Sequence, residues 1–169
     1  MKNIFLMLSI ITSVSLFSQK ITKDEIDEFT GDIIKETNWT TLNSKGSFYT
    51  YARFRKVNDN YFLNFKALIG RVISIDEGEN LYLKLENGEV LKLYNVKYEI
   101  SGKGRGAIGL SGSSMLGIFI QCKLTNMQLE SLKKNTIVKS RLLTNDGYIE
   151  ANVKSRQGNN VLDLALIIE

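Results

Sequence analysis

Leu81-Tyr82-Leu83-Lys84-Leu85-Glu86-Asn87-Gly88-Glu89-Val90-Leu91-Lys92-Leu93 decides the fold class. Leucine alternates with Tyr or Lys on both sides of Asn87-Gly88, which is the period of a strand and not of a helix. A two-residue Asn-Gly turn would set Leu83 opposite Lys92 and Lys84 opposite Leu91, mixing the faces. A three-residue loop, Glu86-Asn87-Gly88, sets Leu83 opposite Leu91, Leu81 opposite Leu93, and Tyr82 beside Lys92. The spacing predicts a hairpin with the longer loop and Gly88 in the left-handed conformation.

The same logic extends outward. Upstream, β-branched and aromatic residues between short polar clusters predict strands over residues 32–42, 47–57, 61–75, 81–85 and 89–98. Asn58-Asp59-Asn60 turns the second into the third. Thr22-Lys23-Asp24-Glu25 fits a capping box and predicts a short helix over residues 23–29, ended by Gly31. Downstream, residues 115–124 read as a strand with Ile118, Ile120, Cys122 and Leu124 on one face. Thr125-Asn126-Met127-Gln128 is a second capping box, so residues 125–134 read as a helix. Residues 136–144 and 148–154 form a hairpin about a two-residue Asp146-Gly147 turn, aligning Leu142 with Ala151 and Ser140 with Val153. Residues 161–168, after Asn160 as a cap, fit a helix with Val161, Leu164, Ala165 and Ile168 on one face, and a buried strand nearly as well. The expected architecture is mainly β to α+β: one antiparallel curled sheet or sandwich with two or three short helices, in a single domain over residues 19–169.

Three absences bound the chemistry. The 169-residue chain has no His, one Cys and no Pro. Without His there is no Ser-His-Asp triad, Cys-His dyad or His-ligated metal. With Cys122 alone there is no intrachain disulfide or thiolate zinc cluster. The net charge is +4. It is uneven: residues 101–160 carry nine Lys or Arg against Glu130, Asp146 and Glu150. Met1-Lys2-Asn3, an apolar run from Ile4 to Phe17, and Ser18-Gln19-Lys20 read as a signal peptide over residues 1–18. The run is shorter than the ~20 residues of a bilayer span, so no stable membrane span is expected after cleavage. Localisation is expected to be periplasmic or secreted, away from intracellular nucleic acid.

Tyr49-Thr50-Tyr51-Ala52-Arg53-Phe54-Arg55 sets Tyr49, Tyr51, Arg53 and Arg55 on one strand face, with Phe54 on the other. Two rings followed by two guanidinium groups suit anions, sugars or stacked bases. Lys103 and Arg105 in the glycine-rich segment 101–117 are second candidates for holding an anion. Gly104–Gly109 matches GxGxxG, but a strand follows where a dinucleotide site needs a helix. No cofactor is implied. Asp76-Glu77-Gly78-Glu79-Asn80 reads as a turn and not a metal loop, because EF-hand spacing is absent. Cys122 reads as a buried structural thiol, and Trp39 as a packing residue. No motif marks a nucleophile.

The signal ending LFSQK, DEFTGDIIKET, IDEGENLYLKLENGEVLKLY and RLLTNDGYIEANV resemble small exported proteins of Bacteroidetes-type bacteria, a group with no assigned activity. The resemblance implies export and carries no site. The expectation is an exported, non-catalytic binding or interaction domain whose partner is an anionic ligand, a glycan or an exported protein. The alternative is a carboxylate-dependent hydrolase acting on an envelope or extracellular polymer.

Overall fold

The computed structural model describes residues 20–44, 48–103 and 116–169. The signal-peptide reading, the GxGxxG match and Arg105 lie outside the described residues. In chain order the strands are β1 (Ile21–Ile26), β2 (Ile33–Thr37), β3 (Thr40–Asn43), β4 (Tyr49–Val57), β5 (Asn60–Leu68), β6 (Ser74–Ile75), β7 (Gly78–Leu85), β8 (Val90–Asn95), β9 (Glu99–Ile100), β10 (Gly102–Lys103), β11 (Leu116–Leu124), β12 (Ile137–Thr144) and β13 (Gly147–Asn152). Helices α1 (Asn126–Lys134) and α2 (Ser155–Ile167) complete the fold. The fold is therefore mostly antiparallel sheet with two helices, as expected.

One sheet runs β1-β2-β4-β5-β11-β8-β7-β12-β13, with β3 also paired to β4 and β10 to β11, while β6 and β9 form a separate pair. The strands make one long open sheet with a short separate pair, in keeping with the expected curled sheet or sandwich. Asn43 and Ser44 at one end line a common recess with Asn152 and Val153 at the other. Helix α2 packs on β3 and β4 and also on β12. Its Val161, Leu164 and Ala165 join Phe54, Phe65, Leu83, Leu93, Ile120 and Leu142 in one core. Every core strand contributes alternate residues, so the inner face is apolar and the outer face polar.

The β7–β8 hairpin has the expected register: Leu81 opposite Leu93, Tyr82 opposite Lys92 and Leu83 opposite Leu91. Gly88 has φ +90°. Strand β11 buries Ile118, Ile120, Cys122 and Leu124 as expected. The capping box of α1 is formed, with Thr125 Oγ1 accepting from the Gln128 N–H and Gln128 Oε1 accepting from the Thr125 N–H.

Four expectations are corrected. Residues 23–29 are not a helix. β1 pairs with the edge of β2, and the Thr22 hydroxyl points across to the carbonyls of Glu36 and Thr37 instead of capping. Asp27 shapes the turn instead, its carboxylate accepting the N–H groups of Phe29 and Thr30, with Gly31 at φ +75°. Residues 61–75 do not make one strand, since β5 ends at Leu68. In the β12–β13 hairpin the register is Leu142 opposite Ile149 and Ser140 opposite Ala151. The two loop residues are Asn145 and Asp146, and Gly147 takes the positive φ on the strand. Both registers keep Leu142 on the apolar face, so hydrophobic pattern does not choose between them. Finally, α2 begins at Ser155, six residues before the expected start, and not after Asn160. Gln157 Oε1 accepts the Lys154 N–H to close that end.

Gly158 explains why α2 can lie where it does. A Cβ there would stand 2.5 Å from the Ile137 carbonyl oxygen and 2.6 Å from Thr136 Cγ2. A backbone oxygen cannot move aside cheaply, so Gly158→Ala forces α2 off β12. We expect a loss of about 1–3 kcal/mol in denaturant unfolding. A variant as stable as the parent would contradict this contact.

Candidate functional site

The outer face of β4 carries Tyr49, Tyr51, Arg53 and Arg55, while Thr50, Ala52 and Phe54 are buried beneath. Pairing extends this face sideways. Tyr51 lies opposite Lys66, Arg53 opposite Asn64, and Arg55 opposite Phe62 on β5. On β11, Phe119 lies opposite Lys66, and Gln121 opposite Asn64.

Trp39 reaches the same face through a bulge. β2 pairs with β4 as Glu36 opposite Arg55, and β3 resumes with Thr40 opposite Ala52. Three residues, 37–39, therefore face two. A side-chain period of 2 means that one inserted residue turns the next side chain to the other face. Without the bulge Trp39 would point inward. The Thr37 hydroxyl oxygen accepts the Phe54 N–H at 2.9 Å where the ladder is interrupted.

These elements enclose an open recess of about 460 Å³ lined by Trp39, Arg53, Lys66, Lys97, Glu99 and Phe119. Both faces of chemistry meet at Trp39. Arg53 lies 4.7 Å and Lys66 4.3 Å from its ring centroid. Phe119 meets it edge-on, with centroids 6.1 Å apart and planes at 77°. The ring is thus held by cations, a favourable arrangement for an indole.

The charges are partly balanced. Arg53 bonds Glu36 at 2.6 Å, and Arg55 Nε lies 3.4 Å from the other oxygen of that carboxylate. Lys97 pairs with the nearly buried Glu99 at 2.8 Å. Burial first, and then the charge of Arg53, hold the Lys66 ammonium below the usual lysine range. Burial and Tyr49 push the Tyr51 phenol up. Asn64 is fully buried, and both its amide atoms lack a hydrogen-bond partner, as do Arg53 Nε and Asn38 Oδ1. Such atoms cost about 1–3 kcal/mol each, and Arg55 Nε, Thr50 Oγ1 and Asn95 Oδ1 are in the same condition elsewhere on the sheet.

Of the residues expected from sequence, Arg53 lines the recess. Tyr49, Tyr51 and Arg55 share its face. Lys103 is exposed on β10 and does not line it. Sequence reading missed Lys66, Lys97, Glu99, Phe119 and the role of Trp39. The alternation Leu63-Asn64-Phe65-Lys66-Ala67 was a usable signal. Folding it back through Asn58-Asp59 puts Asn64 beside Arg53. Among the described residues no group of His, Cys, Asp or Glu could hold a metal. Cys122 is buried and its thiol is pushed up to about 12 by desolvation, which leaves it unreactive. Among the described residues no helix is long and apolar enough to cross a membrane.

No family model, curated protein or solved structure matches the chain.

Two outcomes follow from these charges. Arg53→Ala leaves Glu36 with the longer contact to Arg55 alone, so stability should fall by about 1–3 kcal/mol in denaturant unfolding. Adding Glu36→Gln should recover part of that loss, and a double variant no better than the single would contradict the pairing. Lys66 tests the opposite sign. Its depressed native pKa means that the unfolded chain holds the proton more tightly. The penalty is present at neutral pH and is relieved as pH rises through the native value toward 10.5. Any stability advantage of Lys66→Met over the parent should therefore be largest near neutrality and shrink in alkaline buffer. A difference constant across that range would contradict it.

Proposed function

We propose that this chain is an exported, non-catalytic binding domain whose contact surface is the outer face of β4, β5 and β11, centred on the Trp39 recess. The observation that carries the reading is the convergence of Arg53, Lys66 and Lys97 on one recess containing a single carboxylate, Glu99. Two like charges, Arg53 and Lys66, share one indole ring although the charge of Arg53 disfavours that of Lys66. An anionic group there relieves that repulsion, so the arrangement suits ligand capture better than stability alone. The strands are rigid supports, which keeps the geometry set before binding. Glu36 and Glu99, the two nearly buried carboxylates of this face, are both tied to basic groups. That pairing suits a positioning role.

Thermal unfolding of the full chain against a panel of small anions, acidic and neutral glycans, calcium and nucleic acid tests the reading. A ligand at about 100 times its dissociation constant should add roughly 2.7 kcal/mol of stability. We expect an anionic member of the panel to raise Tm and Lys66→Gln to abolish the shift. A shift that survives Lys66→Gln contradicts the site. No shift with any member contradicts small-ligand binding and favours an exported protein partner.

A further inference from the structure

We propose that the free edge of β1 is a docking strand for a basic extended peptide, which joins the sheet as one more strand beside Asp24 and Ile26. The site is separate from the Trp39 recess and uses none of its groups. β1 ends the main sheet, and among the described residues no strand pairs its other side. Register decides which backbone groups are open there. Ile33 turns both of its own toward Asn58: its N–H donates to the Asn58 side-chain oxygen, and its carbonyl accepts the Asn58 N–H. Ile26, opposite Ile33, is therefore in a non-hydrogen-bonded pair, and its N–H and C=O point away from β2. The period of 2 gives Asp24 the same outward direction, whereas Glu25, opposite Ile34, faces β2. Asp24 and Ile26 are both exposed. Such an edge offers an extended chain its main-chain hydrogen bonds.

The side chains say which chain fits. Ile26 and Ile33 stand side by side at 64% and 56% exposure, and Phe29 on the turn is 98% exposed. An open recess of about 340 Å³ is lined by Glu25, Ile26, Asp27, Glu28 and Phe29. Among the described residues Asp24, Glu28 and Asp32 are in no ion pair, and Glu25 meets only Lys23. A second copy of the chain is a poor occupant. Two β1 edges pair antiparallel only through residues that both point outward. Every such register within β1 that uses Asp24 or Ile26 sets at least one pair of like charges opposite, whether Lys23 with Lys23, Asp24 with Asp24, Glu25 with Glu25 or Glu25 with Asp27. Like charges directly opposite are destabilising. A strand that alternates Lys or Arg with apolar residues avoids this. Its cations face Glu25 and Asp27, and its apolar residues cover Ile26.

Calorimetric titration of the full chain with the capped peptides Lys-Val-Lys-Val-Lys-Val and Glu-Val-Glu-Val-Glu-Val, together with residue-resolved amide hydrogen exchange, tests this. In the free chain the Asp24 and Ile26 amides should exchange fast and the Glu25 amide slowly. The lysine peptide should bind at least about tenfold more tightly than the glutamate peptide and slow exchange at Asp24 and Ile26. Bulk charge argues for the opposite order, because the chain carries a net +4. Asp24→Pro removes an outward N–H and leaves the β1–β2 ladder whole, so it should weaken the lysine peptide about tenfold or more. If Asp24→Pro does not fold, Glu25→Lys serves, and should reverse the preference between the peptides. A glutamate peptide that binds as well as the lysine peptide overturns the proposal, as does binding that survives Asp24→Pro or leaves the Asp24 and Ile26 amides unprotected. Failure of both peptides to bind overturns it too. Asp24 and Ile26 amides already protected in the free chain, with protection lost on dilution, overturn it in favour of a second copy.

Discussion

A continuous sheet with one apolar face has to bury that face, and among the described residues there is one long helix to bury it against. Strands β4, β5, β11, β8, β7 and β12 all turn alternate leucine, isoleucine and phenylalanine side chains inward. Helix α2, 13 residues long, fills the middle. Burial at ~25 cal/mol per Å² is the main driving force, and it is satisfied only if the sheet curls until its two ends approach. The common recess of Asn43, Ser44, Asn152 and Val153 records that approach. Gly158 allows the last fit of helix against strand.

The period of 2 makes the outer face a consequence of the inner one. Once Phe54, Leu63 and Phe65 are committed inward, Arg53, Arg55, Asn64 and Lys66 have no choice but to share the other side. Their mutual repulsion is tempered by Glu36 under the arginines and by the indole of Trp39, which Arg53 and Lys66 both approach. The bulge at residues 37–39 is what delivers that indole. A side chain suited to the core is placed instead among cations, where its ring offers negative potential to both. The proposed binding function grows from this: positive charge fixed on strands, partly desolvated, beside acceptors and rings.

Much of this was legible in the chain. The Leu81–Leu93 alternation is strict enough to exclude the wrong loop length, because the shorter turn mixes apolar and charged positions. Thr125 and Gln128 formed the helix cap that their spacing indicated. Thr22 and Glu25 have the same spacing and did not. The difference is tertiary, since β2 has an edge to be paired and β1 supplies the pair. The β12–β13 register was illegible for another reason: a shift by two residues in total keeps Leu142 inward either way. The candidate site was legible in part. Arg53 follows from strand alternation, but Trp39 requires a bulge that no turn residue announces. Lys97 and Glu99 come from the segment after β8, which is positioned by Asn95 donating to the carbonyls of Asp76 and Lys97. Contacts of that kind have no local signature.

The most direct measurement is the titration of the Lys66 ammonium by NMR in the full chain, alone and with the small anion that most raises its Tm. A midpoint below the ordinary lysine value of 10.5 is predicted in the free protein, with an upward move when the anion binds. A midpoint at or above that value, unmoved by the anion, would contradict the claim that burial and the neighbouring Arg53 disfavour the Lys66 charge.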